Sequence, residues 1–295
     1  MTSIIEVEGL TKHYRGVTAV DDATFALQGP AIHGLLGRNG AGKTTLMQLI
    51  SGQEFASSGT IRVFGESPVE NPDVLGRMCF IKESQVYPDG FKAPHVLRAA
   101  SWFFPHWNDE LAQQLVEDFR LPVKRQVKKM SRGQRSALGA IVAIASRAEL
   151  TLLDEPYAGL DAVARHLFYD RLLADYAEHP RTIVLSTHLI DEAADLLERV
   201  IVIDSGRIVI NELADDLRGS ATTLAGRAED VERFAQGREV IDQSRLGGLA
   251  TVTLLGLTAQ DKDTAQKAGL EISPVSLQQL IVRRTGASME QELAS

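Results

Sequence analysis

Gly37-Arg38-Asn39-Gly40-Ala41-Gly42-Lys43-Thr44 is the stretch that decides the reading of this chain. It follows an apolar run, Ala31 to Leu36, and opens a helical pattern, Lys43 to Ile50, that Ser51-Gly52 ends. Strand, glycine-rich turn, helix is the setting in which G-x-x-x-x-G-K-[ST] holds phosphate. The glycines let backbone N–H groups curl around oxygens, and the helix N-terminus adds positive potential. Lys43 is spaced to reach terminal phosphates and Thr44 to ligate Mg²⁺. A chance glycine-rich turn is the competing reading, and the flanking strand and helix argue against it.

On the N-terminal side, Ile4 to Gly9 and Ala23 to Leu27 read as short strands broken by Gly, Asp and Gly-Pro, which predicts an antiparallel arrangement. On the C-terminal side, Pro94 to about Ala145 is mostly helical, with Pro105 and Leu121-Pro122 as interruptions and Leu111, Leu115, Val116 and Phe119 as an apolar stripe. Strands return at Glu149 to Leu153, Thr182 to Ser186 and Arg199 to Asp204. They alternate with helical segments from Ala162 and Ile190, the pattern of βαβ units in a parallel sheet. Ser205-Gly206 turns into Arg207 to Ile210 as a hairpin. Beyond residue 212 the strands are Thr222 to Leu224, Val240 to Asp242 and Ala250 to Leu255, and the helices Glu229 to Gln236, Ala259 to Ala268 and Ser276 to Arg284. The expected organisation is an α/β domain over residues 1–212, with a helical subdomain at about 88–147, and a small α+β appendix over 213–295.

The 295 residues suffice for one large or two ordinary domains. No apolar run approaches the roughly 20 residues that span a bilayer. The start, MTSIIEVEGL, lacks the basic leader and apolar core of a secretory signal. One cysteine, Cys79, excludes an intramolecular disulfide and fits a cytoplasmic protein. A net charge of −8 argues against general attraction to nucleic acid or anionic lipid.

A phosphate loop alone leaves kinases, GTPases, recombinases, helicases and transporters open. Leu150-Thr151-Leu152-Leu153-Asp154-Glu155-Pro156 narrows the field. A buried strand ending in Asp154 can hold Mg²⁺, and the next carboxylate, Glu155, can orient or deprotonate an attacking water. With Met130-Ser131-Arg132-Gly133-Gln134-Arg135, Gly159-Leu160-Asp161 and Ser186-Thr187-His188, residues 4–212 resemble the ATP-binding subunit of an ABC transporter. The resemblance implies a P-loop NTPase fold with a mixed-sheet core, an antiparallel N-terminal subdomain and a helical signature subdomain. It also implies ATP and Mg²⁺ as cofactors. Gly37, Asn39, Gly40, Ala41, Gly42, Lys43, Thr44 and Thr45 would hold the phosphates, and Tyr14 would stack on adenine. Ser131, Gly133 and Gln134 would act on the nucleotide of a partner subunit, Asp161 would lie in the dimer crossing loop, and His188 would contact the γ-phosphate.

Two positions depart from the family pattern. Arg132 stands where the signature commonly has Gly, within a crowd of cations formed by Lys124, Arg125, Lys128, Lys129 and Arg135. That crowd reads either as a solvated face or as electrostatic support for the partner's ATP or a membrane surface. The second lies in Phe80-Ile81-Lys82-Glu83-Ser84-Gln85-Val86-Tyr87-Pro88, where the family ends a strand in a glutamine that touches Mg²⁺ and the attacking water. The matching position is Glu83, and Gln85, two residues on and on the same face of an extended chain, is the competing choice.

The resemblance implies a peripheral subunit on the inner face of the membrane. It would dimerise with itself or a paralogue around two Mg-ATP and drive a separately encoded permease, in the manner of bacterial single-ATPase exporters. Trp102-Phe103-Phe104-Pro105-His106-Trp107 reads either as core or as the lining of a permease groove. The other reading is a soluble ABC ATPase acting on a ribosome or nucleic-acid complex. A single phosphate loop and the absence of a sustained heptad run count against it.

Overall fold

The computed structural model describes residues 3–83 and 85–284. Ser84 and the last eleven positions of the appendix expected over 213–295 lie outside the described residues. In chain order the elements are β1 (Ser3–Tyr14), β2 (Val17–Gln28), β3 (Ala31–Leu36), α1 (Lys43–Ile50), β4 (Ser58–Val63), α2 (Pro72–Leu75), β5 (Met78–Lys82), α3 (Ala93–Phe103), α4 (Asp109–Asp118), α5 (Arg132–Ser146), β6 (Leu150–Asp154), α6 (Ala162–Glu178), β7 (Thr182–Thr187), α7 (Ile190–Ala193), β8 (Arg199–Asp204) and β9 (Arg207–Leu213). They continue with α8 (Ala214–Leu217), β10 (Ala221–Arg227), α9 (Ala228–Ala235), β11 (Val240–Leu246), β12 (Leu249–Leu255), α10 (Ala259–Lys267), β13 (Glu271–Pro274) and a helix, α11, over 277–284. Two compact units result. One comprises Met1–His188 and Leu196–Asn211, the other Leu189–Asp195 and Glu212–Ser295. These units differ from a single cut after 212 in that Leu189–Asp195 and Glu212 fall in the second.

The first unit carries a six-stranded sheet in the order β5-β6-β7-β3-β8-β9 and a three-stranded sheet in the order β2-β1-β4. β5, β6, β7, β3 and β8 are parallel, so βα connections bring several strand ends to one edge. β6 and β7 are buried along their whole length, which is why they read as near-continuous apolar runs. Leu46, Met47, Leu49 and Ile50 of α1 pack with Leu150 and Leu152 in the core, each such side chain contributing about 1.5–3 kcal/mol on full burial. α5 has a buried stretch from Ala137 to Ser146, and a Cβ on Gly139 would lie 2.8 Å from Ile81 Cγ2, so only glycine lets this helix approach β5.

β1 and β2 are antiparallel and run longer than the sequence suggests. Gly9 and Asp22 do not end them; both take positive φ (56° and 50°), and the β1–β2 pairing shifts register between Val7 and Leu10 and again between Leu10 and Lys12. β4 escapes the sequence pattern because it is mostly exposed and has no apolar alternation.

Cys79 lies on β5, buried, and burial pushes its thiol up to about 12 against the opposing pull of Ser146 and Arg181. The folded chain is therefore expected to resist an aromatic disulfide reagent at pH 8 and to take up one equivalent only after denaturation. Stoichiometric labelling of the folded chain within minutes would contradict this burial.

The second unit is built on an antiparallel sheet in the order β11-β12-β10-β13. Leu224, Val231, Phe234, Val252, Leu254, Ala265 and Leu270 form its core. α11 starts from Ser276, whose hydroxyl accepts from Gln279 N–H at 3.2 Å while Gln279 Oε1 accepts from Ser276 N–H at 3.3 Å. Asp191 completes this start. Its Oδ1 accepts from Gln278 N–H at 3.1 Å and its Oδ2 from the Ser276 hydroxyl at 3.0 Å. Arg283 of the same helix donates to Thr223 Oγ1 at 3.0 Å and meets Asp242 at 3.1 Å.

Candidate active site

The phosphate loop joins β3 to α1. Gly42 has φ +111°, and a Cβ there would sit 2.3 Å from the Ala19 carbonyl oxygen, so only glycine closes this turn. Lys43 is buried. Its ammonium donates to Gly37 O at 2.8 Å and Arg38 O at 3.2 Å and lies 3.8 Å from Glu155 Oε1. Burial lowers its pKa, opposed by Glu155 and Asp154. Next to it, Thr44 Oγ1 donates to Asp154 Oδ2 at 2.6 Å, joining the first turn of α1 to the end of β6.

Glu155 follows Asp154 with φ 49°, a backbone conformation that costs a non-glycine residue about 1–3 kcal/mol. Its Oε2 accepts from His188 Nδ1 at 2.8 Å and from the Tyr157 hydroxyl at 3.0 Å. Tyr157 is also hydrogen-bonded to Thr187 Oγ1, and burial raises its pKa strongly, so the phenol stays protonated. The sequence gives no direct signal for this contact; its only trace is a tyrosine two residues after Glu155. Asp154 Oδ1 and Glu155 Oε1 are both buried and accept no hydrogen bond. Orphaned hard oxygens beside a threonine hydroxyl are a donor set that suits Mg²⁺.

Lys43, Thr44, Asp154, Glu155 and His188 are thus brought together through direct contacts. Asn39 and Gly40 are exposed, Ala41 is buried and Thr45 is half-buried in the first turn of α1. Tyr14 ends β1, 40% exposed, with Lys12 Nζ 4.9 Å from its ring centroid.

Ser131 caps α5 reciprocally with Gln134. Its hydroxyl accepts from Gln134 N–H at 3.2 Å, and Gln134 Oε1 accepts from Ser131 N–H at 3.1 Å. A Cβ on Gly133 would meet Gly159 O at 2.3 Å, and Ser136 Oγ donates to Ala158 O at 2.6 Å. The helix start is therefore packed onto the loop that leads to Asp161, which caps α6 by accepting from Ala164 N–H at 2.8 Å.

Glu83 hydrogen-bonds none of the five clustered residues; its carboxylate pairs with Arg132. Gln85 is half-buried, with its N–H on Lys82 O at 3.2 Å. The cations resolve into separate partners: Lys128 on Asp89 at 3.2 Å, Arg125 on Gln134 Oε1 at 3.4 Å, Arg135 on Met130 O at 2.8 Å. Trp102 and Phe103 are 75% and 72% exposed, which removes the core reading for both, while Trp107 is half-buried with its ring N–H on Asp109 at 2.7 Å.

A buried aspartate on the loop threonine and a glutamate between lysine and histidine are an arrangement chemically suited to binding a nucleotide phosphate and a metal ion. Residues 20–158 match the ABC transporter family. The Nod factor export ATP-binding protein I of Ralstonia nicotianae is 30% identical over 98% of this chain and 95% of its own length. The ABC transporter ATP-binding protein YtrB of Bacillus subtilis is 28% identical over 67% of this chain and 68% of its own. A solved ATP-binding subunit of an ABC transporter shares the fold, with a TM-score of 0.65 and 24% identity over 72% of this chain and 91% of that one. The chain belongs to the family of ABC transporter ATP-binding proteins. ATP is accordingly its nucleotide. No helix among the described residues is long and apolar enough to cross a membrane.

Proposed function

We propose that this chain closes as a dimer around two Mg-ATP and drives a separately encoded membrane permease in the direction of export. The observation that carries the ATPase part is the convergence of Lys43, Thr44, Asp154, Glu155 and His188 at the ends of β3, β6 and β7. Export is supported by the name of the Nod factor export relative. The exposed pair Trp102 and Phe103 is our candidate for the permease contact, which would hold the chain to the inner face of the membrane.

Thr44 and Asp154 would hold Mg²⁺, with Glu83 or Gln85 as the sensor of its occupancy. The bound ion would neutralise charge developing on the β- and γ-phosphates. Lys43 would exchange its two loop carbonyls for phosphate oxygens, Thr45 would contact the α-phosphate and Tyr14 the adenine ring. Glu155 takes a proton from the attacking water as the γ-phosphorus bond to the bridging oxygen breaks, giving ADP and phosphate. His188, whose Nδ1 lies 2.8 Å from Glu155 Oε2, would contact the γ-phosphate by donating a ring N–H to one of its oxygens. Ser131, Gly133 and Gln134 would present the α5 N-terminus to the nucleotide of the partner, with Asp161 at the crossing.

Ser131→Arg tests the trans arrangement. It should block ATP-driven dimer formation, read by light scattering, while nucleotide binding to the monomer is retained, since an exposed cap contributes only about 1 kcal/mol to stability. Normal dimerisation of this variant would rule the arrangement out.

A further inference from the structure

The two departures from the family pattern, an acid at Glu83 and a cation at Arg132, meet in the structure although 49 residues separate them: Arg132 Nη2 donates to Glu83 Oε1. Glu83 directly follows Lys82, which lies opposite Asp154 in the β5–β6 register. Arg132 is the first residue of α5, next to Ser131 and to Gly133, whose Cα abuts the Gly159 carbonyl. The pair thus ties the strand end beside the proposed metal carboxylate to the helix N-terminus.

A cation in the first turn of a helix opposes the helix dipole, and no acidic residue in that turn of α5 offsets it. Glu83 does so from another element. The neighbouring cations do not compete for its carboxylate, because Lys82 donates to Gln53 Oε1 at 3.0 Å, Arg125 to Gln134 and Arg135 to Met130 O. With side chains 59% and 40% exposed, the Arg132–Glu83 pair is an exchangeable contact rather than a rigid strut. A guanidinium released from a monovalent carboxylate has a better acceptor in a polyphosphate, whose oxygens match its fork.

We propose that Arg132 is a phosphate-contacting residue held on its own chain by Glu83, and that closure around nucleotide transfers its guanidinium from Glu83 to the phosphates bound by the partner subunit. This rests on the dimer reading above. The consequence is a built-in opposition: Glu83 restrains closure for as long as it holds Arg132, and nucleotide must displace it.

The test is a double-mutant cycle in the Glu155→Gln chain, reading the ATP concentration that gives half-maximal dimer by light scattering. Arg132→Gly, which restores the residue common in the family, should raise that concentration. Glu83→Gln should lower it, by about threefold more in the presence of Arg132 than in the Arg132→Gly background. Equal shifts in both backgrounds would overturn the transfer, because Glu83 would then act independently of Arg132. Arg132→Gln serves as a second background should the glycine destabilise α5. If the Glu155→Gln chain stays monomeric at saturating ATP, the dimer reading fails and the transfer with it. If it dimerises and the cycle is additive, the transfer alone fails.

Discussion

Glu155→Gln yields a chain that still binds ATP, accumulates as a closed dimer and hydrolyses at least about 100-fold more slowly. The geometry explains the separation. The amide oxygen of glutamine can still accept from His188 and Tyr157, so the strand end and the histidine stay in place. What is lost is the capacity to take a proton from water. The variant is nearly isosteric, so folding should change little. Single-turnover hydrolysis and light scattering with ATP check the expectation together, and a hydrolysis rate near that of the unaltered chain would remove Glu155 from the catalytic role.

Lys43→Ala strikes binding itself. The ammonium is already desolvated, with burial as the main cause of its lowered pKa, so much of the cost of burying a cation has been met before nucleotide arrives. Its loop bonds to Gly37 and Arg38 are charge-assisted and, in the proposed reading, would be exchanged for phosphate oxygens on binding. The exchange replaces neutral carbonyl acceptors by charged phosphate oxygens, and a net gain of about 3 kcal/mol would correspond to a fall in ATP affinity of roughly 100-fold in the alanine variant. The alanine would also leave Glu155 without its nearest cation, adding repulsion toward a polyanion. Equilibrium binding of a fluorescent ATP analogue measures the loss, and unchanged affinity together with unchanged turnover would overturn the phosphate-loop assignment.

The parallel strands and the phosphate loop were legible because their signals are local. β6 and β7 are buried on both faces and read as apolar runs, and the glycine spacing of the loop spells its turn. β4 was not legible: an exposed strand needs no apolar alternation, and its pairing with β1 supplies the order. At the site, the spacing of Lys43, Thr44, Asp154, Glu155 and His188 points to phosphate chemistry. The contacts that orient them depend on folding across distant segments. Tyr157 reaches Thr187 thirty positions on, and the partnership of Glu83 with Arg132 has no counterpart in local pattern. The place of Leu189–Asp195 in the second unit was not legible for a similar reason, because its partners come much later in the chain.

Asp191 supplies part of the start of α11 from 85 positions upstream. At synthesis rates of about 5–20 residues per second, the ribosome takes roughly 4–17 s to pass from one to the other. A nascent chain therefore possesses its phosphate loop and both site carboxylates for several seconds before the segment that begins one residue after His188 gains its final partners. Synthesis of α11 sets the moment at which that segment is complete.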